Sequence, residues 1–157
     1  ILGAQVAGRG GVDKTIDVLA TAMRNKLTVA DLEELELAYA PPYSSAKSPI
    51  NMAGFVADNI IKGGSRVVFA DSLPKNAFLL DVREESEFAR GCLLKAVNIP
   101  LGKLRSRMGE LPRESEIVVY CKSGMRGYVA ERLLRDNGFK VSNLSGGYLC
   151  WKMFNPQ

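Results

Sequence analysis

Residues 64–157 of this 157-residue chain predict an α/β fold built on a parallel sheet, and residues 1–63 predict a separate, smaller segment of helices with one strand. Three observations carry that division. Downstream of residue 64, apolar runs of strand length alternate with helical stripes, the pattern of parallel strands joined by crossover helices. Lys62-Gly63-Gly64-Ser65 is a small-residue junction between periodic segments. The charge balance also changes there, from net −1 over residues 1–63 to net +5 over residues 64–157.

The elements follow in order. Ile1 to Gly8 is strand-like, and it opens without a preceding cap or polar leader, so the chain is expected to be a piece of a longer protein. Val12 to Met23 places apolar residues at 12, 16, 19, 20 and 23, a helical stripe with Asp13 and Asp17 toward its start. Thr28-Val29-Ala30-Asp31 is a capping-box variant opening a short acidic helix. Leu35 to Tyr39 alternates like a strand, and Pro41-Pro42 forces an extended loop after it. Ser48-Pro49 supplies an N-cap and a proline at the first helical position, launching a helix to about Ile61.

In the second segment, strands are predicted at Arg66–Phe69, Phe78–Val82, Ala96–Pro100, Ile117–Tyr120 and Lys140–Leu144. Helices are predicted over Glu84–Phe88, Leu101–Met108 and Arg126–Asn137, the last closed by Gly138, and Cys150-Trp151 is placed in a helical segment.

Composition excludes several classes. With 46% hydrophobic and 24% charged residues the chain can bury a core and is no disordered tail. Its apolar blocks fall short of the roughly 18 residues of a membrane span, and its basic residues are dispersed among acids, so neither membrane nor nucleic acid is an expected partner. Three scattered cysteines and no histidine leave no Cys/His metal site, and fit a reducing, cytoplasmic setting. The opening residues lack the basic leader of a signal peptide.

Chemistry concentrates in Tyr120-Cys121-Lys122-Ser123-Gly124-Met125-Arg126. A cysteine at the carboxyl end of a buried strand, before a small-residue loop that opens a helix, lies where α/β sheets present ligands. Backbone N–H groups of residues 122–126 can curl around the sulfur, and Lys122 and Arg126 add positive potential. Such settings lower a thiol from about 8.5 to about 3.5–7.5, so Cys121 is expected to act as a nucleophile and its loop to cradle a persulfide anion. A small buried hydrophobe at a strand end is the competing explanation of Cys121.

Five ordered blocks resemble the rhodanese domain: Leu80-Asp81-Val82-Arg83-Glu84, Phe88-Ala89-Arg90-Gly91, Ala96 to Leu101, Tyr120 to Arg126, and Leu144 to Trp151. The resemblance implies a rhodanese-like parallel sheet flanked by helices and a sulfurtransferase. In it Cys121 accepts sulfane sulfur as a persulfide, and Lys122, Ser123, Gly124, Met125 and Arg126 bind the anion. Asp81 and Arg83 are candidates to shape the pocket, or to form a structural ion pair. Phosphatases of this fold that act on cyclin-dependent kinases have one residue more between cysteine and arginine, which favours sulfur over phosphorus here. A non-catalytic binding module and an arsenate reductase or phosphatase using the same cysteine are the alternatives. Where the family usually has histidine after Arg90-Gly91, this chain has Cys92; Cys92 and Cys150 are expected as buried core replacements.

Residues 1–63 resemble the end of the α+β dimerisation domain of flavin-dependent pyridine nucleotide disulfide oxidoreductases of the CoA-disulfide-reductase type, above all at Leu35-Glu36-Leu37-Ala38-Tyr39-Ala40-Pro41-Pro42-Tyr43-Ser44. That resemblance implies a homodimer in which Tyr39 and Tyr43 are candidates to contact a CoA-linked substrate across the interface, or to pack there as interface aromatics. It implies FAD and NAD(P)H on parts of the full-length protein outside this chain, with none bound by this segment. Together the resemblances imply a fused polypeptide that moves sulfane sulfur from a donor to a CoA-linked or polysulfide thiol acceptor.

Overall fold

The computed structural model describes residues 1–155, so the last two residues of the predicted 64–157 domain lie outside it. The chain divides into two compact units, Ile1–Gly64 and a second beginning at Ser65. Among the described residues, no helix is long and apolar enough to cross a membrane.

The first unit holds three helices, α1 (Val12–Arg24), α2 (Val29–Glu34) and α3 (Pro49–Ile61). Two of them begin with a reciprocal cap. Thr28 and Asp31 exchange backbone and side-chain hydrogen bonds at the start of α2. Ser48 and Asn51 do the same at α3, with Pro49 at the first position, where no helical N–H partner is lost. Asn51 is buried because its amide donates to the carbonyls of Leu32 and Leu35, tying α3 to the end of α2. Leu19, Ala22, Leu32 and Ile50 form the small core.

Two strand expectations fail in this unit. Leu35–Tyr39 is extended, with Leu35 and Leu37 turned toward the core and Glu36 outward, yet it pairs with no strand among the described residues. Ile1 to Gly8 likewise forms no strand. Alternation dictates an extended backbone, but a ladder also needs a neighbour to accept its N–H groups.

The second unit is a five-stranded parallel sheet in the order β1 (Val67–Val68), β5 (Val141–Leu144), β4 (Ile117–Tyr120), β2 (Phe78–Asp81), β3 (Val97–Asn98). All pairings are parallel, with Leu80 opposite Val119 and Asp81 opposite Tyr120. Helices α4 (Glu85–Phe88), α5 (Leu101–Arg107), α6 (Met125–Asp136) and α7 (Gly147–Phe154) connect or follow the strands, with a 3₁₀ turn at Met108–Glu110. Ile117–Tyr120 is present as predicted and the other four strands in shortened form, because the residues at their ends lack a laddered neighbour.

Strand β4 is central and all four of its residues are buried, so it reads as a continuous Ile-Val-Val-Tyr run rather than an alternating one. Leu80, Val82, Ile99, Ile117 and Val119 pack with Ala130 and Leu134 of α6 on one face, and Leu93, Val118, Tyr120 and Leu144 form a second cluster. Glu131 of α6, fully buried, accepts hydrogen bonds from the Ser65 hydroxyl and the Arg66 N–H, and Arg135 lies 3.5 Å from it. These partners explain how a charged residue is accommodated inside.

Candidate active site

The sheet delivers Cys121 immediately after β4, at its carboxyl end, where it is 1% exposed. The loop beyond it turns at Gly124, whose φ of 118° is a conformation that side chains rarely adopt, and α6 starts at Met125. That turn aims the Gly124 N–H at the Cys121 sulfur, 3.1 Å away. The first N–H groups of α6 have no acceptor within the helix.

The carbonyls of this loop are occupied from the opposite side. Tyr148 N–H donates to the Cys121 carbonyl at 2.8 Å and Leu149 N–H to that of Lys122 at 3.1 Å. The opening of α7 thus finds its acceptors in the cysteine loop, and the loop's negative ends are turned away from the thiol. Asn143 of β5 adds a third tie, its amide donating to the Gly124 carbonyl at 3.2 Å, while its Oδ1 is buried without a partner.

Arg126 does not stand as a free cation. Its guanidinium makes a two-pronged ion pair with Glu87, Nη1 to Oε2 at 2.6 Å and Nη2 to Oε1 at 2.9 Å, with both side chains partly exposed. Glu87 is fixed in turn because its carboxylate accepts the Glu84 N–H at the start of α4. The pair raises Arg126 above its usual range, through Glu87 first and with a further contribution from Cys121. Lys122 is exposed, as are Ser123 and Met125. Of the predicted loop the structure directs the Gly124 N–H at the Cys121 sulfur and leaves Lys122, Ser123 and Met125 exposed, and it adds Glu87, paired with Arg126, and Asn143, tied to the Gly124 carbonyl, which lay far from the motif in sequence. The repeat of Glu84 and Glu87 at capping-box spacing was the one available signal for Glu87.

The hydrogen bonds from Arg126 pull the Glu87 carboxyl from its ordinary value of 4.5 down to about 2, against the cost of burial and with help from the Glu84 N–H. A depressed carboxyl contributes stability that is complete above its unfolded value and is lost as the pH falls through the folded one. In urea melts at successive pH values, the stability difference between the unchanged chain and Glu87→Gln is expected to narrow steadily from pH 4.5 toward about 2. A difference constant over that window would show that the pair does not hold the charge.

Asp81 and Arg83 form a buried ion pair. The Asp81 carboxylate accepts from Arg83 N, Nε and Nη2 at 2.9, 3.0 and 2.6 Å, and Arg83 Nη2 also donates to the Gly91 carbonyl. The guanidinium lies 4.3 Å from the Tyr148 ring, so this pair braces the residue whose N–H holds Cys121. Cys92 and Cys150 are only partly buried, contrary to expectation; Cys92 follows the exposed end of α4, and Cys150 sits in the first turn of α7 under Gly146. Tyr43 is 90% exposed, whereas Tyr39 lines a cavity of about 370 Å³ in the first unit with Leu35, Leu37, Lys47 and Phe55.

A parallel sheet presenting a buried cysteine at the carboxyl end of its central strand, with the Gly124 N–H directed at the sulfur, defines a class of α/β proteins that carry a thiol at the ligand-binding edge of the sheet. The Rhodanese-like domain family matches residues 67–154, and the chain belongs to that family. It is 60% identical over 57 residues to coenzyme A disulfide reductase of Staphylococcus aureus strain bovine RF122 / ET3-1, a stretch covering 36% of this chain and 13% of that protein. The structure of reduced Bacillus anthracis CoADR-RHD superposes with a TM-score of 0.91 at 46% identity, covering 95% of this chain and 28% of the other. A NAD-dependent persulfide reductase from A. fulgidus gives 0.83 and 43%, over 92% of this chain and 26% of the other. The chain thus spans less than a third of the length of each of these three relatives.

Proposed function

We propose that the second unit is a sulfurtransferase that carries sulfane sulfur as a persulfide on Cys121. The observation that carries this reading is the Gly124 N–H directed at the Cys121 sulfur from a loop whose carbonyls are taken up by α7. A thiolate there attacks the outer sulfur of a donor R–S–SH. The new S–S bond to Cys121 forms as the donor's S–S bond breaks, R–S⁻ leaves with the electron pair, and the proton stays on the transferred sulfur. The reverse step to an acceptor thiolate regenerates Cys121. The persulfide gives up that proton to solvent, the loop donors stabilise the resulting anion as they did the thiolate, and the depth of Cys121 suits a slender sulfur chain.

The similarity to coenzyme A disulfide reductase, CoADR-RHD and a persulfide reductase supports a wider setting. In it this unit works within a homodimeric FAD- and NAD(P)H-dependent reductase of CoA disulfide, CoA persulfide or polysulfide. Tyr39 and Tyr43 of the first unit would meet the CoA-linked substrate across the dimer, and the flavin and nicotinamide would be held by parts of the full-length protein outside this chain.

Intact mass after incubation with polysulfide tests the core of the reading. The unchanged chain is expected to gain about 32 Da, one sulfur, that cyanide then removes, and Cys121→Ser to gain nothing. An adduct of equal size on Cys121→Ser would move the chemistry to another residue, and no adduct on either would leave a binding module.

A further inference from the structure

The ion pair between Glu87 and Arg126 has no role in the transfer step itself, and it stands at the mouth of that step. Arg126 belongs to the cysteine loop, five residues after Cys121, while Glu87 comes from α4, 39 positions earlier. The bidentate geometry occupies the guanidinium edge that would otherwise meet an incoming anion, and the Glu84 N–H holds Glu87 in place. Neither partner is sealed from solvent, at 33% and 22% exposure, so an anion can reach the pair.

We infer that Glu87, acting through Arg126, is a positioning residue that sets donor specificity, favouring persulfides R–S–SH over the dianion thiosulfate. The inference rests on Cys121 as the sulfur acceptor. The charge bookkeeping of the two reactions differs. With R–S–SH in its protonated form and with R uncharged, thiolate and donor together carry one negative charge. With thiosulfate, the Cys121 thiolate attacks the outer sulfur, the thiosulfate S–S bond breaks, and sulfite leaves as a dianion. The encounter is then trianionic throughout. A fixed carboxylate beside the loop opposes the second far more than the first, and it cancels the cation best placed to offset that charge.

The test compares initial rates of sulfur loading from thiosulfate and from the persulfide of 2-mercaptoethanol, whose organic part is uncharged. In Glu87→Gln, which keeps the shape and removes the charge, the ratio of kcat/KM for thiosulfate to that for the persulfide is expected to rise about tenfold. Glu87→Asp keeps the charge, and its ratio should stay within about threefold of the unchanged chain's. A ratio that is unaltered or lower in Glu87→Gln would overturn the inference, as would an equal rise in both variants, which would trace the effect to lost packing.

Titration calorimetry with thiosulfate in a Cys121→Ser background separates this from the proposed reaction. Adding Glu87→Gln there should tighten binding about tenfold whether or not sulfur is ever transferred. Unchanged or weaker binding counts against Glu87. Failure of the unchanged chain to load sulfur from either donor counts against the sulfurtransferase reading instead.

Discussion

Asp81→Ala is expected to destabilise the second unit by about 3–5 kcal/mol, the cost of leaving a buried charge without its partner. Asp81 is 0% exposed and Arg83 3%, and the substitution leaves the guanidinium without its carboxylate partner, against the Gly91 carbonyl and two tyrosine rings. For a unit of this size the loss corresponds to a fall in melting temperature of more than about 10 °C. Trp151, the only tryptophan, lies in α7 and reports on this unit, so urea and thermal melts followed by its fluorescence measure the effect directly. The paired change Asp81→Leu with Arg83→Met should recover most of the loss, because replacing both charges by apolar groups removes the desolvation problem. A single-variant loss below about 1 kcal/mol would mean that water reaches Arg83 and that the pair is not buried in solution.

Gly147→Ala is expected to damage stability and sulfur loading together. Gly147 has φ +58°, and a Cβ there would stand 2.5 Å from the Cys121 carbonyl oxygen and 2.9 Å from the carbonyl carbon and oxygen of Lys122. These are backbone atoms that cannot swing aside. Overpacking and the left-handed conformation together should cost about 2–5 kcal/mol. The atoms displaced are those that fix the thiol, so the loading rate from polysulfide should fall about ten- to a hundredfold under conditions where the variant remains folded. Gly102→Ala is the control, since a Cβ at that position meets nothing within 4 Å. Equal loading by Gly147→Ala and the unchanged chain would show that α7 does not position the cysteine loop.

Much of this was legible in the sequence where the determining contacts are local. The caps Thr28/Asp31 and Ser48-Pro49 are local signals, and helices begin where they predict. Cys121, Gly124 and Arg126 fall on one strand–loop–helix turn, so the site's floor could be placed from the motif alone. Asp81 and Arg83 are two apart, and their pairing was one of two stated options. Glu87 and Asn143 were missed because each reaches the loop only through the tertiary fold. The strand expected at Leu35–Tyr39 failed for a related reason: alternation specifies which side chains face inward, but pairing depends on a neighbour the segment does not name. Cys92 and Cys150 look like core residues by type, and only packing shows them at the margin.

The sheet ends on both sides in strands of two residues, Val67–Val68 and Val97–Asn98. A rim that short exposes too few unpaired N–H and C=O groups to template a foreign strand. The apolar central strands that aim Cys121 are thereby shielded from edge-to-edge aggregation, the failure to which apolar parallel sheets are prone. Substitutions that lengthen either rim by one alternating pair would trade that protection for added sheet, and should first show themselves as lost solubility rather than lost chemistry.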